Sequence, residues 1–149
     1  MRVAWLFIKR CIVTRRMYRP GLAVYVTLGP MNPTIDSDAR QLLARSGMLG
    51  YKPSVSSYVA LPLADYETIV VPLGRIEVFE RGPGVPNFNV ERALAILRAI
   101  NTDKALPPVE VHALEQQDHY KLYNGFHRYH LSRTLGFCCI PAIVIPPPY

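Results

Sequence analysis

The hydrophobic pattern predicts a strand and a helix near the middle of the chain. Residues 68–73 have the β-branched content of a buried strand, and Pro72 suggests that this strand ends there or lies at a sheet edge. After a loop rich in Gly and Pro, Asn89 can cap a helix that runs to Ile100. The apolar residues that recur at helical spacing predict its buried face: Val90, Ala93, Leu94, Leu97 and Ile100.

Two further strands are predicted to form a hairpin. Residues 109–113 alternate between apolar and polar positions, residues 116–118 have turn composition, and residues 119–123 return the chain. We expect the two strands to pair antiparallel.

The hairpin leads into a second helix and a last strand. Asn124 and Gly125 predict a tight turn, residues 127–135 a helix that Gly136 ends, and residues 140–145 an apolar strand. The order β, α, β, β, α, β predicts an α/β (α+β) domain with a small mixed β-sheet and two main helices. We place this domain at residues 66–149.

Residues 31–65 are predicted to form an accessory helix followed by a linker. The helix is expected between Ser37 and Leu49, with Asp36 or Ser37 as its N-cap and Gly50 as its stop. The Pro-, Ser- and Tyr-rich stretch after it has the composition of a connection.

The positive charge of the chain is concentrated at its N-terminus. The formal net charge is +6, but residues 61–149 hold 8 basic and 9 acidic side chains. Residues 1–30 hold six basic residues and no acid, and are interpreted as a basic arm, an organelle-targeting segment or translation from upstream of the true start. We favour the last, with Met17 or Met31 as later starts. DNA is expected to bind only through this basic segment.

Composition also bounds the setting of the protein. The apolar runs are too short to span a bilayer, so no membrane partner is expected. Cys11, Cys138 and Cys139 give neither an even disulfide framework nor a C-x-x-C spacing, and we predict buried thiols in a reducing, cytoplasmic setting. His112, His119 and His130 do not share a metal-ligand spacing, and no metal is expected. The oligomeric state stays open.

The candidate chemistry lies at the turn formed by Asn124, Gly125, Phe126, His127 and Arg128. A helix that starts directly after a glycine turn points free N–H groups and the positive end of its dipole at whatever lies in front. Arg128 can grip two phosphate oxygens, and His127 adds a donor whose charge depends on pH. An equally weighted alternative is a plain turn with a solvated Arg128.

The motifs from Val71 to Ile145 resemble the ParB/sulfiredoxin superfamily. The likeness is carried by VPLGRI, a helix after a variable loop, LPPVEV, YKLYNGFHRY, a helix that reaches LG, and IPAIV. The resemblance implies that Gly125, His127 and Arg128 bind nucleotide phosphates and, more weakly, that Arg92 contributes. It implies a nucleoside triphosphate, ATP or CTP and with or without Mg²⁺, as the ligand.

Departures from the superfamily narrow this expectation. Sulfiredoxins carry their catalytic cysteine where this chain has Phe126, which excludes sulfiredoxin chemistry. ParB partition proteins continue into a helix-turn-helix region, whereas this sequence ends at Tyr149. In a third branch, which resembles free-serine kinases, a glutamate acts as base, and Glu77 or Glu80 is the candidate; surface loop carboxylates are the alternative.

Three hypotheses follow. The first is a nucleotide-binding domain with phosphotransferase activity as an option, so the sequence leaves open whether the protein is an enzyme. The second is a non-enzymatic ParB-like module that works through DNA or protein partners. The third is a relic that folds and binds nothing.

Overall fold

A five-stranded mixed sheet forms the centre of the molecule. The computed structural model describes residues 32–147. The strands are β1 (Ile69–Pro72), β2 (Ile76–Glu77), β3 (Val109–Ala113), β4 (Tyr120–Asn124) and β5 (Cys139–Val144). They lie in the order β1-β5-β3-β4-β2, in which β1 with β5 and β3 with β4 are antiparallel, while β3 with β5 and β2 with β4 are parallel. The predicted α/β class with a mixed sheet is confirmed.

The central position of β5 explains its apolar sequence. It has a strand on each side, and it is buried from Cys139 to Ile143, so that side chains on both of its faces are covered. Edge strand β1 ends at Pro72, where a missing N–H does no harm. The two-residue β2, which follows a 3-10 turn at Leu73–Arg75, is an element that the sequence pattern did not predict.

Within residues 32–147, three helices pack on this sheet: α1 (Pro33–Arg45), α2 (Val90–Asn101) and α3 (Phe126–Leu135). Helix α3 contacts both α1 and α2, and most of its side chains are buried. The prediction for α2 is confirmed at its cap, since the Asn89 side chain accepts the Arg92 N–H. The prediction of the buried face of α2 was partly wrong, because Ile96 is buried whereas Val90 is 40% exposed.

Helix α1 begins earlier than predicted. Asn32 is its N-cap, with an Oδ1 that accepts the Thr34 N–H at 3.0 Å, and Pro33 occupies the first turn. Asp36 is therefore not the cap; it pairs with Arg40 one turn later at 3.0 Å. Helix α1 ends at Arg45, and four of its residues lie in the same hydrophobic core as the sheet: Ile35, Ala39, Leu42 and Leu43.

Residues 1–31, which include the basic N-terminal segment and Cys11, lie outside the described residues. Within residues 32–147, none of the helices combines the length and the apolar character that a membrane span requires.

Candidate functional site: a cationic helix N-terminus

The turn between β4 and α3 requires glycine. Gly125 is the N-cap of α3 with φ +116°, in the left-handed region that side chains rarely adopt. A Cβ at this position would lie 2.5 Å from Cγ1 of Val109 on the neighbouring strand. Both facts force the backbone of the turn directly against β3, and this fixes where α3 begins.

The first turn of α3 leaves backbone N–H groups without helical acceptors. The first helical bond is that of the Tyr129 N–H to the Gly125 carbonyl at 2.9 Å. Within the described part of the chain, no side chain caps this N-terminus. The N–H groups of Phe126, His127 and Arg128 therefore precede the helical ladder and carry the positive end of the dipole.

The Phe126 side chain belongs to the core and not to the front of the turn. It is 4% exposed, and its ring lies 4.3 Å from the His130 ring, 5.8 Å from Phe79 and 6.1 Å from Phe88, between centroids. Phe126 can thus offer a ligand only its backbone. The aromatic cluster ties loop 78–88 to the start of α3.

His127 is a buried hydrogen-bond acceptor. Its Nε2 accepts the backbone N–H of Asn89 at 2.8 Å, which places the ring proton on Nδ1. Burial, then the positive charges of Arg81, Arg92 and Arg128, lower the pKa of His127 to about 4. At neutral pH the ring is therefore uncharged, and its Nδ1–H is the donor that it can offer.

Arg128 is anchored from behind. One terminal nitrogen of its guanidinium donates to the carbonyls of Pro107 and Pro108, both at 2.7 Å. Tyr58 donates to the same Pro107 carbonyl at 2.8 Å, and burial raises the pKa of Tyr58 to about 12, so that it remains a donor. These bonds leave the second terminal nitrogen beside Gly125, where it lies 3.4 Å from the ideal Cβ position. Tyr58 lies in the predicted linker, and no sequence signal linked it to this site.

The cations around this helix end lack acidic partners. Arg81, Arg92 and Arg128 approach from three different elements, and each lowers the pKa of His127. Among residues 32–147 none of the three forms an ion pair. Because the described residues hold 11 basic and 11 acidic side chains in total, this local excess is a matter of placement and not of composition. Of these three arginines, Arg92 and Arg128 were predicted from the sequence as site residues, and Arg81 was not.

The other residues that the sequence predicted for the site, Asn124, Glu77 and Glu80, are exposed. Asn124 is exposed at the end of β4, opposite Glu110. Glu77 and Glu80 are exposed, on the segment whose Phe79 contacts Phe126. Within the described residues no group of histidine, cysteine and carboxylate side chains is arranged to hold a metal.

Two features lie away from this end of α3. A groove lined by Asp36, Arg40, Arg133 and Thr134 lies between α1 and the last turn of α3, and no predicted site residue lines it. Burial raises the pKa of the Cys139 thiol to about 11, so that thiol is not a ready nucleophile.

The fold and the site together define an α/β protein with a helix that has glycine as its N-cap and arginine side chains around its N-terminus. Among solved structures, the chain is similar to sulfiredoxin from Arabidopsis thaliana, with 18% identity over 54% of this chain and 86% of that one, at a TM-score of 0.44. It is also similar to a C-terminally truncated chromosome-partitioning protein ParB from Caulobacter crescentus complexed with CTP-gamma-S. That match has 17% identity over 55% of this chain and 46% of that one, at a TM-score of 0.43.

These two structures represent the two families that the sequence motifs resemble. The chain spans less than half of the ParB structure, and at this distance neither likeness carries a function. No protein-family model matches the sequence, and no curated protein matches it.

Proposed function

We propose that this chain binds a nucleotide through its phosphate groups at the N-terminus of α3. The observation that carries the proposal is the convergence of Arg92 and Arg128, which have no acidic partner among residues 32–147, on a helix end with free N–H groups. Phosphate oxygens are the ligands that such donors prefer. The resemblance of residues 122–129 to the superfamily motif supports a nucleotide as the source of that phosphate.

The ligand is proposed to be a nucleoside triphosphate, ATP or CTP. The ParB structure was determined with CTP-gamma-S, a ligand of that protein, so CTP belongs in any screen alongside ATP. Arg92 gives the cleanest test because its side chain is exposed and forms no hydrogen bond or ion pair within residues 32–147, so that its loss disturbs only the electrostatics of the site.

The test is isothermal titration of the full chain with ATP, CTP, ADP and GTP, with and without Mg²⁺. The Arg92→Ala variant should weaken binding about tenfold or more, because a charge-assisted contact is lost. Arg98→Ala, on the exposed last turn of the same helix, is the matched control and should bind like wild type. Absence of binding by the wild type, or equal affinities of the two variants, would contradict the proposal.

A finer proposal is phosphotransfer with Glu77 or Glu80 as the base: the carboxylate takes the proton of an acceptor hydroxyl, the hydroxyl oxygen attacks the terminal phosphorus, and the nucleoside diphosphate leaves. Both carboxylates flank Phe79, which packs on the first residue of α3, so the segment that carries them is fixed to the site. Glu77→Gln and Glu80→Gln should each leave nucleotide affinity within about twofold, because neither pairs with an arginine in the described chain. One of them should abolish release of the nucleoside diphosphate in a coupled assay, whereas wild-type turnover in both variants would reject a glutamate base.

A further inference from the structure

Arg81 is stacked on the first residue of α3. Its guanidinium carbon lies 4.3 Å from the centroid of the Phe126 ring. One of its terminal nitrogens donates to the Pro86 carbonyl at 3.0 Å, which closes the loop on itself. The Arg81 guanidinium is thus fixed by two contacts, with the Phe126 ring and with the Pro86 carbonyl.

This arrangement leaves hydrogen-bond donors unused. A guanidinium has five N–H groups in its plane, and stacking on a ring occupies the face of that plane rather than its edge. Of the described contacts of Arg81, only the bond to Pro86 uses a donor. Arg81 is a half-buried cation with free donors and, among the residues that the structure describes, no carboxylate partner, and an anion would complete this arrangement.

The positive charge of Arg81 affects both histidines at the start of α3. Arg81 is the strongest of the three arginines in lowering the pKa of His127, and it also lowers the pKa of His130 one turn further on. Loop 78–88 therefore brings its positive charge to the same helix end as Arg92 and Arg128.

We propose that Arg81 is an anion-binding residue of this site, that the Phe126 ring presents it, and that it contacts the polyphosphate chain of the nucleotide and not its base. The inference rests on the proposed function and adds a third cationic side chain to it. It also gives Phe126, which replaces the cysteine of the resembled sulfiredoxin motif, a role in this chain as the platform for Arg81.

The test compares the best-binding nucleoside triphosphate with inorganic tripolyphosphate, which has the phosphates without the base. Arg81→Ala should weaken both ligands by the same factor, about tenfold. Arg81→Lys keeps the charge but lacks the planar fork, and should recover only part of the loss. Phe126→Leu keeps an apolar side chain but removes the ring, and should weaken both ligands in the direction of Arg81→Ala, measured well below its melting temperature.

The outcomes distinguish a failure of the proposed function from a failure of the role given to Arg81. If the wild type binds neither ligand, the proposed function itself fails. If the wild type binds and Arg92→Ala weakens binding, but Arg81→Ala behaves like the Arg98→Ala control, only the role of Arg81 is overturned. A loss confined to the nucleoside triphosphate would overturn the phosphate assignment, because Arg81 would then contact the base. Full binding by Phe126→Leu would overturn the platform role of the ring, and full binding by Arg81→Lys would overturn the need for a planar fork.

Discussion

Nε2 of His127 accepts the backbone N–H of Asn89 at 2.8 Å, and this bond joins the starts of two helices. Asn89 in turn caps α2 through the Arg92 N–H at 2.9 Å. The first turn of α2, with Arg92, is therefore held against the first turn of α3. His127 organises the cationic site through its ring acceptor.

Replacing His127 by Leu should destabilise the fold by about 1–3 kcal/mol, because the Asn89 N–H loses its acceptor inside the protein. The matched control is His130→Leu on the same helix, whose ring nitrogens are both buried without a hydrogen-bond partner. That variant should be neutral or stabilising. Urea denaturation at pH 7.5 measures both, and equal losses in the two variants would contradict the role given to His127.

Stability should fall as the pH falls from about 6.5 towards 4. Burial and neighbouring arginines lower the pKa of both His127 and His130 from 6.5 to about 4, so in this window the unfolded chain binds protons that the folded chain does not. The free energy of unfolding then rises with pH, by about 2 kcal/mol for each histidine between pH 4.5 and 7. The stability is fully present above pH 6.5.

The His130→Leu variant tests this cause, since it should remove about half of the pH dependence in denaturation curves taken from pH 4.5 to 7.5. His119→Leu at the hairpin turn controls for the loss of a histidine as such. A slope that is unchanged by His130→Leu would show that other groups cause it.

Gly125→Ala should cost roughly 2–4 kcal/mol, the sum of left-handed backbone strain and overpacking against Val109. Gly82→Ala is the control, because a Cβ there meets nothing within 4 Å and its φ is not positive. It should change stability by less than about 0.5 kcal/mol. Thermal denaturation of the two variants decides the matter, and similar melting temperatures would argue against a forced glycine.

Arg128→Ala should lower stability by about 1–3 kcal/mol even without a ligand, because its guanidinium donates to the carbonyls of Pro107 and Pro108. Arg92→Ala should leave the free energy of unfolding within about 0.5 kcal/mol of wild type. Chemical denaturation without nucleotide separates the two. An Arg128→Ala variant as stable as wild type would mean that the two carbonyls find other partners.

The local sequence pattern was enough to predict the elements that depend on contacts between residues close together in the chain. Asn89 caps α2 three residues before the N–H that it accepts, and Gly136 ends α3 in the left-handed conformation. The turn at Gly125 was predictable in the same way, because a tight turn depends on the residue types of adjacent positions, here Asn124 and Gly125. By contrast, β2 has two residues and exists through parallel pairing of Ile76 with Tyr120, which no local pattern shows.

The sequence by itself determined the α/β class, the order of the main elements and the helix start at Gly125, because periodicity, caps and turns are local properties. Only the tertiary structure decided which side chains reach that helix start. It turned His127 inward as a neutral acceptor, anchored Arg128 on Pro107 and Pro108, and stacked Arg81 on Phe126. These contacts join residues far apart in the chain, and their energies depend on burial and on neighbouring charges that exist only once the sheet and helices have packed.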